Sequence, residues 1–278
     1  MIRWAHHALR GLRAHDSLLG RLGLAWLLLL VVVALCAPLA GYPVGADVDL
    51  SQASQGMSGR HPLGTDHLGR DTFARLALAC RAFTGPGLLA GLVALTAVPT
   101  GALAGMHGGW VAHLTRYVAG VVASVPRFVL VLLLLTIYGN TPTVLGLAIG
   151  LAYVPELAEA VRARVEGLRV ADFVLASRAH GVPEGRLLWL HLVLGATNQL
   201  VARHLIRVFA FTVVVESTLA YLGGFGVQEP QPSWGNLLVF EWGRGLGPQV
   251  IAPAAALLIT LAACAAAAGF VGGRRHAG

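Results

Sequence analysis

Residues 22–40 read LGLAWLLLLVVVALCAPLA, and no charged side chain interrupts them. A helix that rises ~1.5 Å per residue needs roughly 20 apolar residues to cross the hydrocarbon core of a bilayer. Comparable apolar blocks follow at 84–106, 117–138 and 250–273, with Arg127 as the one charged residue among them. The chain is 56% hydrophobic and only 12% charged, whereas a soluble domain has about a quarter charged residues. These features predict an all-α membrane protein that crosses the bilayer several times.

Six membrane-spanning helices are predicted from the apolar blocks and the turns between them. The turn sequence YGNTP, at 138–142, separates the third helix from a fourth that ends near Pro155, so these two helices form an antiparallel pair. The fifth span is the least apolar, because Arg203, Arg207 and Glu216 lie within or beside it. The predicted spans are 22–40, 84–106, 117–138, 142–155, 202–222 and 250–273.

The placement of arginine predicts the orientation of the chain. Six spans put both termini on one side, and three Arg-containing segments of that side are 1–21, 156–190 and 274–278. Because positively charged loops are retained in the cytoplasm, this side is expected to face the interior of the cell across the plasma (inner) membrane. Residues 22–273 are expected to form one transmembrane domain. The predicted external segments are 41–83 and 223–249.

The first external segment contains the motif HPLGTDHLGRD at residues 61–71. Its glycines permit tight turns, and its aspartates can accept backbone N–H groups. Asp71 is expected to cap a short helix that lies flat on the membrane, with Arg75 and Arg81 reaching water. The apolar face expected for this helix consists of Phe73, Leu76, Ala77, Cys80 and Phe83. The candidate site residues of the motif are His61, Gly64, Thr65, Asp66, Gly69, Arg70 and Asp71.

A metal site is a rival interpretation of the same motif, with four candidate ligands: His61, Asp66, His67 and Asp71. Turn-forming Asp and Gly residues are commoner than metal ligands, and nothing in the sequence fixes a coordination geometry. The three cysteines are an odd number and have no metal-ligand spacing, so they predict neither a zinc site nor a disulfide framework. The turn interpretation is preferred, and no metal is expected.

A second motif, DFVLASRAHGVP at residues 172–183, lies between the fourth and fifth spans. Asp172 is a suitable N-cap, Gly181 suits the left-handed position that ends a helix, and Pro183 prevents continuation. The pattern predicts a helix of two to three turns whose small side chains let a partner protein approach closely. An ordinary capped loop is the alternative for this motif taken alone.

The third motif is ESTLAYLGGFGVQEPQPSWGN, at residues 216–236. Its closely spaced glycines and prolines predict a bent external loop, and Trp234 suits the membrane interface. Glu216 is expected to line a solute path, to pair with Arg203 or Arg207, or to lie in water at the interface. The candidate site residues of the loop are Pro230, Pro232, Trp234 and Gly235.

These three motifs resemble those of the permease C-type subunit of dipeptide, oligopeptide and nickel importers, an inner membrane component of binding-protein-dependent ABC transport systems. The first matches the family pattern HPLGTD-x-LGRD, and the third matches LG…VxxPxPSWG. The family pattern YVxAAxxxG is matched in the second motif at Phe173, Val174, Ala176, Arg178 and Gly181. The resemblance extends over about residues 22–273 and keeps the three motifs in the order of the family.

The chain departs from the family pattern at several positions. Leu175 replaces a glutamate that would form a capping box with Asp172, and no proline follows His191 where the family has Leu-Pro-Asn. Gly224 is an additional glycine, and the acidic C-terminal ending of the family is reduced to GFVGGRR at 269–275. These departures predict atypical coupling or a degenerate subunit.

The resemblance implies an ABC type I importer permease fold with about six transmembrane helices and no catalytic residue in this chain. Two ATP-binding cassette ATPase subunits would bind ATP and Mg²⁺, so no cofactor is expected here. Further expected partners are a second permease subunit, an extracytoplasmic substrate-binding protein and the lipid membrane, without nucleic acid. The residues expected to dock on the ATPase are Asp172, Phe173, Ala176, Ser177, Arg178 and Gly181. The expected cargo is di- or oligopeptides, with nickel or a metal chelate as the alternative.

Two other classes of protein stay open at this point. A membrane-embedded hydrolase would combine His with Glu or Asp among the helices, but the sequence contains neither HExxH nor GxSxG. A non-transporting membrane scaffold or degenerate permease paralogue is compatible with the altered C-terminal ending.

Overall fold

A computed structural model of the chain describes residues 2–40, 48–242 and 247–273. The described residues are mostly helical and form no β-strand, only one antiparallel bridge between Thr65 and Asp71. The all-α prediction is confirmed. The helices are α1 (Ile2–Cys36), α2 (Thr72–Leu78), α3 (Cys80–Leu95), α4 (Ala97–His107), α5 (Gly109–Ala123), α6 (Arg127–Tyr138), α7 (Pro142–Leu168), α8 (Asp172–Ala179), α9 (Glu184–Arg186), α10 (Asn198–Leu222), α11 (Trp234–Trp242) and α12 (Pro248–Gly273).

Five helical stretches of the described chain are long and apolar enough to cross a membrane. A sixth span results if α5 and α6, which meet at an angle of 83°, count as one broken crossing. The prediction of about six spans is therefore confirmed. The five stretches are Leu18–Leu39, Thr72–His107, Pro142–Leu168, Glu184–Leu222 and Pro248–Gly273.

The predicted third span, 117–138, is not one continuous helix. It begins earlier, at Gly109, and breaks before Arg127. Pro126 has an extended backbone (φ −56°, ψ 124°) and has no N–H to continue the helix. No tightly packed neighbour holds the chain straight here, because residues 124–126 are exposed.

The predicted end of the fourth helix near Pro155 is wrong, since α7 continues through this proline to Leu168. Close packing holds α7 straight on both sides of the proline. A Cβ on Gly150 would lie 2.6 Å from the Cβ of Val93 in α3, and one on Gly105 in α4 would lie 2.5 Å from the carbonyl oxygen of Arg162. Small residues of this kind let helices in a membrane approach closely.

The fifth span also begins before its predicted start at residue 202. A π-helical stretch, Leu187–Thr197, joins α9 to α10 and extends the helical run. The Thr197 hydroxyl donates to the carbonyl oxygen of Leu192 at 2.8 Å and so pairs one of the carbonyl groups in this stretch. The non-helical part of the predicted loop 156–190 therefore shrinks to the residues around α8.

Segments that are distant in sequence meet at one end of the bundle. There, the Asn140 amide donates to the carbonyl oxygen of Gly226 at 3.0 Å and accepts from the Gly226 N–H at 2.9 Å. The Gln249 amide also lies 3.4 Å from the carbonyl oxygen of Gln55. We call this the signature end, because it carries the HPLGTDHLGRD motif, and the end that carries α8 is the α8 end.

Candidate functional site

The HPLGTDHLGRD motif folds as two tight turns that lead into α2. Gly69 has φ +79°, and a Cβ there would collide with the carbonyl oxygen of Asp49. Asp71 caps α2 as predicted, accepting from the N–H of Ala74 at 2.8 Å. Its second carboxylate oxygen lies 2.7 Å from Nδ1 of His61. The motif is therefore a folded connector at the start of a span.

A group of four charged side chains, three buried and Glu229 partly exposed, joins this motif to the loop before α11, and we call it the ionic network. Arg70 donates to Asp66 at 2.7 Å and to Glu229 at 2.8 Å. Arg75 donates to the other carboxylate oxygen of Glu229 at 2.5 Å. Burial favours the neutral form of Arg70, but the bonds to Glu229 and Asp66 outweigh it and raise the pKa of this guanidinium above its ordinary value.

The ionic network corrects the prediction that Arg75 reaches water from a flat helix. The residue is only 3% exposed, because the α2 face that carries it packs against the loop containing Glu229. Arg81 is exposed, as predicted. Sequence reasoning gave Glu229 no role, since its partners lie more than 150 residues away.

The PSWG part of the loop packs inside the bundle, so the placement of Trp234 at the membrane interface is wrong. Trp234 is 2% exposed, its ring centre lies 4.6 Å from that of Phe83, and its indole N–H donates to the carbonyl oxygen of Leu76 at 3.1 Å. Gly235 touches α10, where a Cβ would collide with the carbonyl oxygen of Ser217.

The two prolines of this loop lie beside the same packed region. The carbonyl oxygen of Pro230 accepts from Arg75 at 3.4 Å, and Pro232 is buried. Pro232 also lines a cleft of about 480 Å³ at the signature end, together with Arg81. The other residues that line this cleft are Leu78, Ala82, Gly85, Pro86, Leu89, Pro142, Thr143, Val227 and Gln231.

Glu216 is completely buried, with 0% exposure. One carboxylate oxygen accepts from the N–H of Val227 at 3.4 Å, and the other forms no hydrogen bond among the described residues. The predicted alternatives of a place in interfacial water and an ion pair with Arg203 or Arg207 are therefore wrong. Among the described residues, the loop before α11 covers this carboxylate, and the place of Glu216 on a solute path stays a prediction.

The helix predicted in the second motif is present as α8, but its start differs from the prediction. Asp172 is the first helical residue, and Ala171 takes the N-cap position without a side-chain hydrogen bond. Leu175 therefore does not occupy the N3 position at which a capping-box glutamate would act. The predicted weakening of the helix through a missing capping box has no basis in this geometry.

The end of α8 confirms the role predicted for Gly181, which has φ +75°. The Gly181 N–H donates to the carbonyl oxygen of Arg178 at 2.9 Å, and the Val182 N–H donates to that of Ser177 at 3.0 Å. These two bonds form a Schellman motif, which satisfies the last carbonyl groups of a helix. Val174 is the one buried residue of α8, and Phe173 and Ala176 are exposed.

A group of polar side chains that sequence reasoning missed lies where α6, α7 and α10 meet, and we call it the three-helix cluster. Arg127 forms an ion pair with Glu156 and lies 4.4 Å from the ring centre of Tyr153. The other Glu156 oxygen lies 3.8 Å from Nε2 of His204. Arg127 inside an apolar block was the available signal, but Glu156 was assigned to a loop because α7 was expected to end before it.

The rival metal site does not form among the described residues, where no three His, Cys, Asp or Glu side chains are grouped as ligands would be. The carboxylate of Asp66 is bonded to Arg70, and that of Asp71 is shared between His61 and the start of α2. The turn interpretation accounts for these side chains.

Residues 97–273 match the family described as binding-protein-dependent transport system inner membrane component. The dipeptide transport system permease protein DppC of Alkalihalophilus pseudofirmus is 29% identical over 75% of this chain and 68% of its own length. The glutathione transport system permease protein GsiD of Pectobacterium atrosepticum is 28% identical over 93% of this chain and 84% of its own length. The oligopeptide transport system permease protein OppC of Bacillus subtilis is 29% identical over 81% and 74%.

The family match covers more than half of the chain, from α4 to the end of α12. It fits a helical bundle with five or six crossings, and it explains why no catalytic group is needed in this subunit. Membership implies a multi-pass place in the inner membrane and partners that hydrolyse ATP and deliver the solute. The chain thus belongs to the inner membrane components of binding-protein-dependent transport systems, as a non-catalytic permease subunit of an ABC importer.

Proposed function

We propose that this permease subunit imports di- or oligopeptides together with a second permease subunit, using ATP and Mg²⁺ bound by two separate ATPase chains. The names of the three relatives support a peptide cargo, since dipeptides, glutathione and oligopeptides are all peptides. Nickel or a metal chelate remains the alternative cargo, and none of these three names favours it. A substrate-binding protein would deliver the peptide from outside the cell.

In this proposal the α8 end and both termini face the cytoplasm. The distribution of arginine supports this orientation, because the N-terminal segment and the residues around α8 are rich in arginine. The signature end, with its ionic network and cleft, then faces the binding protein. A permease with this orientation presents α8 to an ATPase on the side where ATP is found.

The exposed surface of α8 is the observation that carries the proposed coupling role. Phe173 and Leu175 are 45% and 52% exposed, so both apolar side chains are available for burial against a partner protein. Val174 fixes the helix to the bundle, and the Schellman motif at Gly181 closes its end. A helix held in this way can follow a groove on the ATPase as a rigid lever.

Movement of this lever would shift the bundle between two states. In alternating access, a solute site between two permease subunits opens to one side at a time. Closure of the ATPase chains on ATP would pull α8, and α7 and α10 would carry the movement, since they lie on either side of it in the chain. The signature end would open or close in response.

The lever role is tested in the complete complex with its ATPases and binding protein, reconstituted in proteoliposomes. Ala176→Trp adds bulk to an exposed position of α8. Gly181→Pro removes the N–H that bonds Arg178 and cannot adopt φ +75°. We expect both variants to assemble the membrane subunits and to lose stimulation of the ATPase by loaded binding protein.

Gly185→Ala is the matched control, because a Cβ at this nearby exposed glycine meets no atom within 4 Å. It should keep stimulation and uptake at the level of the wild type. Unchanged stimulation and uptake in Ala176→Trp and Gly181→Pro would refute the lever role. A wild-type complex that hydrolyses ATP but takes up no peptide would instead support another cargo or a scaffold.

A further inference from the structure

The three-helix cluster places a charged pair far along the helices from the signature end. Arg127 lies 11 residues before the end of α6 at Tyr138, and Glu156 lies 14 residues after the start of α7 at Pro142. At ~1.5 Å per residue, these positions are roughly 16 Å and 21 Å from the signature end. Since the hydrocarbon core is ~30 Å thick, the pair lies inside the span and not at its surface.

This pair differs from the ionic network in being open on one side. The side chains of Arg127 and Glu156 are each 36% exposed, whereas in the Arg75–Glu229 pair of the ionic network only Glu229 is partly exposed, at 26%, and Arg75 is 4% exposed. Charged side chains within spans face the interior of a bundle or a water-filled cavity and avoid lipid. The open side of the pair therefore faces water or a space shared with the second permease subunit.

The helices that carry the pair also allow it to separate. Arg127 is the first residue of α6, directly after the 83° break, whereas Glu156 is held in the middle of α7. The Glu156 carboxylate keeps a second neighbour in His204 of α10, at 3.8 Å, and Arg127 keeps the face of the Tyr153 ring. Glu156 therefore retains a contact on α10 when the bond opens, and rotation of the Arg127 side chain alone opens the bond while keeping the contact with Tyr153, which also lies on α7.

We propose that Arg127 and Glu156 bind the two charged termini of a peptide as it crosses the membrane. The guanidinium would bind the terminal carboxylate, since its two parallel donors match a carboxylate, and Glu156 would bind the terminal ammonium group. The ligand exchanges one ion pair for two and leaves the net charge inside the membrane unchanged. This balance fits a zwitterion and disfavours a solute with a net charge.

The inference rests on the proposed function and names the part of a peptide that the permease itself recognises. It is tested in the purified complex in nanodiscs without binding protein. Peptide recognition by that protein then does not contribute to the measured binding. Radiolabelled dialanine is displaced by unlabelled dialanine, N-acetyl-dialanine or dialanine amide. In the wild type we expect each blocked peptide to displace the label about tenfold less well, the loss of one charge-assisted contact.

The variants separate the two roles. In Arg127→Gln, dialanine amide should become equal to free dialanine, while the acetylated peptide stays weaker. In Glu156→Gln, the acetylated peptide should become equal, while the amide stays weaker. Arg60→Gln, at an exposed arginine of the signature end, should behave as the wild type, and Arg127→Lys should keep part of the preference for a free carboxylate.

Blocked peptides that displace the label as well as dialanine in the wild type would overturn the inference. It is equally overturned if both variants weaken all three peptides by the same factor, or if the wild type binds no displaceable dialanine. Uptake of dialanine by the complete complex with its binding protein is measured in parallel. Uptake without terminal selectivity refutes the inference alone, whereas a complex that takes up no peptide refutes the proposed function as well.

Discussion

Arg75 and Glu229 form a hydrogen-bonded ion pair of 2.5 Å across 154 residues of sequence. The pair joins the first helical turns after the HPLGTDHLGRD motif to the loop before α11. Because Arg70 shares the same carboxylate, the two motifs form one connected unit. The two motifs, which lie far apart in the sequence, are thus in contact at the signature end.

The ionic network should depend on the charge of Glu229. Glu229→Gln leaves Arg70 and Arg75 buried with Asp66 as their one remaining acidic partner, and an uncompensated buried charge costs about 3–5 kcal/mol. We expect the apparent melting temperature of the detergent-purified complex to fall by several degrees. Glu184→Gln is the control, since its pair with Arg178 is exposed and should contribute little. Equal melting temperatures for the two variants would contradict a stabilising role of the network.

Gly235 should be essential for the contact between α11 and α10. A Cβ there collides with the Ser217 carbonyl oxygen, and overpacking of a buried contact costs about 1–3 kcal/mol. Gly235→Ala should therefore lower the melting temperature and the yield of folded complex. Gly120→Ala, in α5, meets no atom within 4 Å and should be neutral or slightly stabilising. The packing argument fails if Gly235→Ala melts at the wild-type temperature.

Glu216 should tolerate loss of its charge, because it is enclosed and no cation is bonded to it. Glu216→Gln keeps the size and the acceptor for the Val227 N–H, so we expect a change in stability within about 1 kcal/mol and uptake close to that of the wild type. Glu216→Lys buries an unpaired ammonium group and should cost about 3 kcal/mol or more. Peptide uptake in proteoliposomes and thermal melting measure both effects. Loss of uptake in a stable Glu216→Gln complex would contradict this expectation and indicate that Glu216 lines the solute path.

Substitutions of two neighbouring residues of α8 should have different effects. One should lower the stability of the subunit, and the other should weaken its binding to the ATPase. Val174→Asp buries an unpaired carboxylate and should lower the stability of the membrane subunit by about 3 kcal/mol or more. Phe173→Ser changes an exposed side chain, so stability should change by no more than about 0.5 kcal/mol while copurification with the ATPase decreases. Size-exclusion chromatography and melting curves separate the two outcomes. Full copurification of Phe173→Ser would show that this face is not the docking surface.

Local features of the candidate site were predictable from sequence. Asp71 caps α2 and Gly181 ends α8 as expected, since each acts on backbone groups only a few residues away. The predicted N-cap of α8, Asp172, lies one residue after the actual N-cap. Aspartate is a common N-cap residue, but it also occurs in the first turn of a helix, as here. Helix ends that depend on such local interactions can therefore be predicted to within one residue.

Contacts between distant segments were not predictable in the same way. Arg75, expected in water, is buried because Glu229 reaches it from another part of the chain. Glu156, expected in a loop, lies inside α7 because glycine contacts with α3 and α4 hold that helix straight past Pro155. A single sequence shows which residues are present, but it does not show which distant residues lie close together in the fold.

The pattern of apolar and polar residues was enough to predict that this protein is a bundle of membrane-spanning helices with three ordered motifs. That conclusion follows from local chemistry, because a helix satisfies its own backbone hydrogen bonds and a bilayer requires this of every lipid-exposed span. Only the tertiary structure decided which charges are buried, which face of α8 is exposed, and that Arg127 and Glu156 meet inside the span. Those outcomes depend on close packing between helices, and packing brings together side chains that the sequence keeps far apart.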